Sequence, residues 1–218
     1  MSLSQRVRKG DFTPEEISEV VERVERRDEE LRRFGFDIRA AISGILEKAL
    51  PLPEPVLEVA TGKGRFLTAL ASHVSEIVTV DVDASEQKVA KILALFRGVA
   101  DRIEFLEADA TSLPFPDRSF GSIVSMNTFH HLENPHAVLK EMTRLVGPNA
   151  KVVISDFDEK GYAAMERLHA AEGRKHPRSP LSMQEIAEFW RKNGWEAEIA
   201  TAPCQEIVIA HRPQLVRH

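Results

Sequence analysis

Leu57-Glu58-Val59-Ala60-Thr61-Gly62-Lys63-Gly64-Arg65-Phe66 is the stretch whose reading decides the fold. An apolar run carrying an acid passes through a turn of small residues and opens a helix. Small side chains in such a turn let a ligand approach the backbone, and the first helical turn presents N–H groups with no partner inside the helix. The junction reads as the first βα unit of a ligand-binding sheet. A dinucleotide site wants a third glycine for close helix–strand packing, and Leu67 stands at that position.

Downstream, short apolar runs alternate with helical stretches, the sequence form of repeated βα units around a parallel sheet. The pattern predicts strands over 56–59, 77–80, 103–106, 122–125, 151–155, 196–201 and 206–210. Helices are predicted over about 65–72, 85–97, 135–146, 162–172 and 183–193. Ser182 with Glu185 makes a capping box for the last of these, and Asn193-Gly194 makes its stop. Only residues 202–205 separate the final two strands, too few for a helical crossover, so they are expected to pair antiparallel.

Upstream, Thr13-Pro14-Glu15-Glu16 starts a helix with threonine as N-cap, proline at the first helical position and Glu16 closing a capping box. Ile17, Val20, Val21, Val24, Leu31 and Phe34 form its apolar stripe. Glu19/Arg23, Glu22/Arg26 and Asp28/Arg32 are spaced as i,i+4 pairs on a solvated face. Gly35 ends this helix, Asp37 caps a second one carrying Ile38, Ala41, Ile42, Ile45 and Leu46, and Pro51, Pro53 and Pro55 stop it.

With 43% hydrophobic and 29% charged residues, the 218-residue chain is expected to form one globular domain over 1–218. A net charge of -5 with interspersed Lys and Arg disfavours a nucleic-acid substrate. A single cysteine, Cys204, cannot form an internal disulfide, and Arg6–Lys9 leads into acids rather than an apolar signal segment. Nothing approaches the roughly 18 apolar residues of a membrane span. A cytoplasmic location is expected, with no membrane partner, and the oligomeric state is left open.

The polar groups recur at the carboxyl ends of successive strands, where open α/β sheets bind ligands. Asp81 follows the second strand, placed to accept from two ribose hydroxyls, with Val82 beside it. Asp109-Ala110 follows the third, where a carboxylate accepts from an adenine amino group, and Asn127 follows the fourth. Helix capping is the ordinary alternative for Asp81 and Asp109. S-adenosylmethionine (SAM) carries no phosphate and suits the shorter glycine pattern better than a nicotinamide dinucleotide does.

With these residues in view, the sequence resembles the class I SAM-dependent methyltransferases, in the group that methylates small molecules. The likeness runs from about Phe36 to Ala210. Its glycine-rich loop matches Glu58 to Gly64, with Ala60 where glycine is commoner. Its ribose acid matches Asp81, its adenine pair Asp109-Ala110, and Leu113-Pro114-Phe115-Pro116 follows as in the family. Two departures stand out: Gly121 replaces a common aspartate, and Gly147-Pro148-Asn149-Ala150 replaces a Pro-Gly-Gly turn before the fifth strand. The resemblance implies a Rossmann-like α/β fold: a seven-stranded, mostly parallel sheet in order 3-2-1-4-5-7-6 with strand seven reversed. Helices would flank both faces, and a helical cover over 1–50 would close the methionine end of the cofactor. It implies SAM bound by Glu58, Ala60, Thr61, Gly62, Gly64, Asp81, Val82, Asp109, Ala110 and Asn127, with S-adenosylhomocysteine (SAH) as product and a small-molecule methyl acceptor.

The acceptor side carries His130 and His131 after the fourth strand, Asp156-Phe157-Asp158 after the fifth, and an added segment, 157–181, read as a lid. His130, His169 and His176 are the candidate bases, against the alternative of ordinary solvent-exposed histidines. His169 and Glu172 share a helical face, but Gly173 and Pro177 deny a third ligand, so no metal is expected. Phe34, Phe36 and Arg39 lie where the cover begins, the aromatics serving either a sulfonium or the core. An RNA or protein acceptor, or SAM binding without turnover, remains the alternative.

Overall fold

The computed structural model describes residues 5–212. Helices α1 (Pro14–Arg33) and α2 (Ile38–Ala49) precede β1 (Val56–Val59), α3 (Arg65–Leu70), β2 (Ile77–Asp81) and α4 (Ala84–Phe96). There follow β3 (Ile103–Glu107), β4 (Phe120–Met126), α5 (Pro135–Leu145), β5 (Val146–Phe157), α6 (Glu159–Ala171), α7 (Met183–Lys192), β6 (Glu196–Ala202) and β7 (Gln205–His211). The strands form one seven-stranded sheet in the order β3-β2-β1-β4-β5-β7-β6, as the resemblance implies. The first five strands run parallel, and β7 is antiparallel to both β5 and β6.

Helices cover both faces, which is why the central strands are buried and mostly apolar: all four residues of β1 are buried, Glu58 among them. One face packs Val138, Leu139 and Met142 of α5 with Ile186, Ala187 and Trp190 of α7. The other packs Ile42, Ile45 and Leu46 of α2 with Phe66, Leu67 and Leu70 of α3 and Ala90 and Ala94 of α4. Leu67 is fully buried here, so its side chain fills space that a third glycine would leave to a closer helix.

Both N-terminal helices form from the caps their sequence carries. Thr13 and Glu16 close a capping box on α1, and the Asp37 carboxylate accepts from Arg39 N and Ala40 N at the start of α2. α1 lays Val20, Val21 and Val24 against Val89, Ile92 and Leu93 of α4, while Leu31 at its far end packs with Phe36, Phe157, Tyr162 and Leu168. The expected Asp28/Arg32 pair is absent. Asp28 turns inward to Arg65 Nε at 2.5 Å, and Arg32 pairs with Glu29 instead. Three consecutive turns of α1 therefore carry one face to α4, one to the glycine-rich loop and one to α6.

The two departures from the family pattern have structural reasons. A Cβ at Gly121 would lie 2.7 Å from Glu54 O and 2.8 Å from Pro53 C, so no side chain fits where the chain leading into β1 crosses β4. Residues 147–150 are not a separate turn. They extend β5 back to Val146, which pairs with Phe120, and the register shifts before Ser122 meets Lys151. Pro148 and Asn149 are exposed at this irregularity, a bulge that uses the proline where no ladder hydrogen bond is required of it.

Candidate active site

The glycine-rich loop is built from left-handed backbone. Ala60, Gly62 and Gly64 have φ of +65°, +48° and +75°, and Asn127, across the cleft at the end of β4, has +53°. Such conformations cost a non-glycine residue about 1–3 kcal/mol and gather where a ligand is bound, which accounts for glycine being commoner at the position of Ala60. At Gly64 a Cβ would meet Ala90 Cβ at 2.7 Å, so the glycine sets how closely α3 approaches α4.

Behind this loop runs a buried polar chain. The hydroxyls of Thr61 and Thr79 are 2.6 Å apart, and Thr79 donates to Glu58 Oε2 at 2.5 Å. Burial pushes the Glu58 carboxyl up to about 8, with the neighbouring Asp81 charge adding to it against the Thr79 hydrogen bond, so the acid is protonated at neutral pH. Asp81 accepts from Gly62 N at 2.7 Å through one oxygen and from Asp83 N at 2.9 Å through the other. It is not the helix cap: Asp83 caps α4 by accepting from Ser85 N and Glu86 N. Asp109 accepts from Thr111 N at 2.8 Å, which with the Thr111 hydroxyl holds its pKa below the usual range.

Two adjoining cavities lie along this edge. One, of about 460 Å³, is bordered by Ala60, Asp81, Val82, Asp109, Ala110, Thr111, His131 and Leu132. The other, of about 620 Å³, is bordered by Ile38, Glu58, Ala60, Thr61, Gly62, Gly64, Asp81, Val82, Met126, Asn127, His131 and Leu132. Ala60, Asp81, Val82, His131 and Leu132 border both and mark the junction. All ten residues expected to touch a cofactor thus border one cavity or the other. Two features there are incomplete without a ligand. Val82 is 68% exposed although apolar, and Asn127 Oδ1 is buried with no hydrogen-bond partner. Both suit SAM: an apolar platform serves a purine face, and an amide oxygen serves an ammonium or hydroxyl donor.

The expected bases fall elsewhere. His130, His169 and His176 border neither cavity, whereas His131 borders both. His130 is 4% exposed, and its backbone N and Nδ1 lie 3.1 and 2.7 Å from the Asp156 carboxylate. The rings of His131, His176 and His169 complete a cluster with it: His130–His131 centroids are 4.0 Å apart, His130–His176 4.9 Å and His169–His176 4.8 Å. Burial, then the neighbouring His130 charge, pushes His176 down to about 4. The same two causes lower His131, and burial followed by Arg174 lowers His169. Glu172 turns away from His169 to bind Arg27 and Arg174, which pull its pKa down to about 2. Among the described residues, no group of three or more His, Cys, Asp or Glu is arranged to hold a metal ion.

Sequence reasoning named Asp156 and the histidines separately and did not foresee their meeting. The residues come from the turn after β4, from β5, from α6 and from the loop after it, and no spacing rule links them. Phe36 is core, edge-on to Phe157 at 5.1 Å, and Phe34 packs against the same cluster, so neither faces a sulfonium. Arg39 lines a separate cavity of about 420 Å³ between α1, α2, α3 and α4.

Residues 57–154, from within β1 to within β5, match the methyltransferase domain family. This stretch of the chain is similar to the class I SAM-dependent methyltransferases. The chain is 30% identical over 143 residues to the ubiquinone/menaquinone biosynthesis C-methyltransferase UbiE of Pseudomonas putida, covering 64% of this chain and 52% of that protein. It is 33% identical over 132 residues to the demethylmenaquinone methyltransferase of Thermus thermophilus, covering 58% of each. The chain spans little more than half the length of these relatives. Its fold is that of a SAM-dependent methyltransferase from Aquifex aeolicus, with a TM-score of 0.63 at 23% identity over 92% of this chain and 98% of that one.

Proposed function

We propose that this chain binds SAM across the two cavities and transfers its methyl group to a small-molecule acceptor. The observation that carries the reading is the junction: an acid and an apolar platform, Asp81 and Val82, side by side where the cavities meet. In this reading Asp81 accepts from the ribose hydroxyls and Val82 covers the purine. Asp109 and Ala110 face the adenine edge, while Ala60, Thr61, Gly62 and Gly64 admit the cofactor to the backbone. Glu58 and Asn127 serve the methionine end. Residues 1–50 are the cover and 157–181 the lid of a single domain, and a cytoplasmic location belongs to the same reading.

Bound SAM supplies a methyl group on a positively charged sulfur. The chain contributes position and dryness. The left-handed loop fixes one end of the cofactor, Asp81 fixes its centre, and Ile38 of the cover and Met126 wall the methionine side with apolar surface. Holding acceptor and methyl in line can supply up to roughly 7–11 kcal/mol of a displacement barrier. For the acceptor, the names of both relatives support a quinol ring or a compound of that size. No described helix is long and apolar enough to cross a membrane.

Calorimetry with SAM and SAH tests the binding. The expected result is a single site for each, and no heat with either at millimolar concentration rejects the reading. Incubation with SAM and a reduced naphthoquinone, followed by mass spectrometry for a gain of one methyl group, tests the acceptor class.

A further inference from the structure

His131 is the histidine of the cluster that reaches the cofactor cavities, and it stands where they join. We propose that His131 takes up the proton that the methyl acceptor loses, so that the acceptor is a compound methylated at a hydroxyl, a thiol or an acidic carbon. The proposal rests on the SAM reading above.

The other ionisable groups bordering the cavities, Glu133 excepted, are already engaged. Glu58 is occupied by Thr79 and is protonated, while Asp81 and Asp109 accept backbone N–H groups. Lys63 pairs with Glu86 at 3.1 Å, and Asp83 caps α4. Glu133 borders only the Asp109 side, away from the methionine end. His131 brings to the cavities an imidazole, a group that serves as a general base for hydroxyl and thiol protons.

The ring also has a platform. Asp156 pins His130 through ring and backbone, and His130 in turn lies against His131 at 4.0 Å. His130 is thereby a positioning residue: buried and tied to Asp156, it borders neither cavity but fixes the ring that does. The groups facing His131 are His130 on its own turn, Asp156 of β5, His169 of α6 and, at 6.2 Å, His176 of the following loop. The same cavities are also bordered by Glu58, Lys63, Arg65, Asp81, Asp83 and Glu86 in the one, and by Asp81, Asp109 and Glu133 in the other. Burial and the histidines outweigh Asp156, leaving His131 neutral at pH 7 and able to accept. In the step, the acceptor's electron pair forms the new bond to the methyl carbon. The carbon–sulfur pair stays on the sulfur, which becomes neutral, and the acceptor's proton passes to a ring nitrogen of His131. The imidazolium then returns that proton to solvent.

The test uses NMR titration of histidine-labelled protein saturated with SAH or with SAM, with His131 assigned from the His131→Asn variant. SAM places a positive sulfur where SAH has a neutral one, so the His131 midpoint is expected about one unit lower in the SAM complex. Equal midpoints in the two complexes overturn the proposal while leaving the cofactor reading intact. Wild-type protein that binds neither ligand overturns both. His131→Asn is expected to bind SAH within about threefold of wild type and to slow methylation of hydroxyl, thiol or acidic-carbon acceptors by about 10²–10⁴. Its rate should recover as alkaline pH ionises the acceptor directly. A variant that keeps the wild-type rate and pH profile rejects His131 as the proton acceptor.

Discussion

Glu58 shows how one residue can be read two ways. In the sequence it is an acid before a glycine-rich turn; in the fold it is fully buried with its pKa near 8, against 4.5 when exposed. Between those values the unfolded chain gives up the proton and the folded chain keeps it, so stability falls as pH rises through that window. Glu58→Gln removes the titration, and its unfolding temperature should gain on wild type as pH is raised from about 5 to about 9. A constant difference across that range rejects the assignment. Asp81 differs in accepting from the backbone, already holding Gly62 N and Asp83 N. Asp81→Ala is expected to weaken SAH by about tenfold or more in calorimetry, the worth of a hydrogen bond to a charged group; unchanged affinity would remove Asp81 from the site.

Among the elements, α1, α2 and α7 were legible because each carries its own start signal: Thr13 with Glu16, Asp37, and Ser182 with Glu185 all cap as their spacing requires. Strand ends were less so. β5 runs back to Val146 because pairing to Phe120, not propensity, decides where a ladder ends. The glycine at 121 belongs to the same class of effect, since the obstructing backbone comes from the connection before β1. Gly121→Asp, which restores the residue commoner in the family, should lower the stability to denaturant by about 3 kcal/mol or more. The loop after α6 carries its own pH dependence. His176 is neutral with a pKa near 4, below the 6.5 it has when exposed, so its contribution is whole above about 6.5 and is lost as pH falls toward 4. His176→Phe should narrow the gap in melting temperature between neutral and acid pH; an unchanged acid loss would place its cause elsewhere.

For the molecule as a whole, the site is assembled by tying distant segments to one sheet edge. Asp28 reaches Arg65 beside the glycine-rich loop, and Arg27 one residue earlier reaches Glu172 at the end of α6. A ligand bound at this edge stabilises the folded chain by mass action, about 2.7 kcal/mol at a hundredfold excess over its Kd. Unfolding temperature should therefore climb with SAH concentration, and a flat profile argues against binding. The sequence by itself determined the parallel βα units, the antiparallel pairing of the last two strands and the line of polar and small residues from Glu58 to Asn127 at the strand ends, while the strand order was implied by the family resemblance. The first three follow from periodicity, caps and connection length, which are local along the chain. Only the tertiary structure decided that Phe36 is core, that Asp28 faces inward and that His130 leans on Asp156 while His131 borders the cavities. Those outcomes depend on which distant side chains share a volume, and no property of the chain near each residue encodes that.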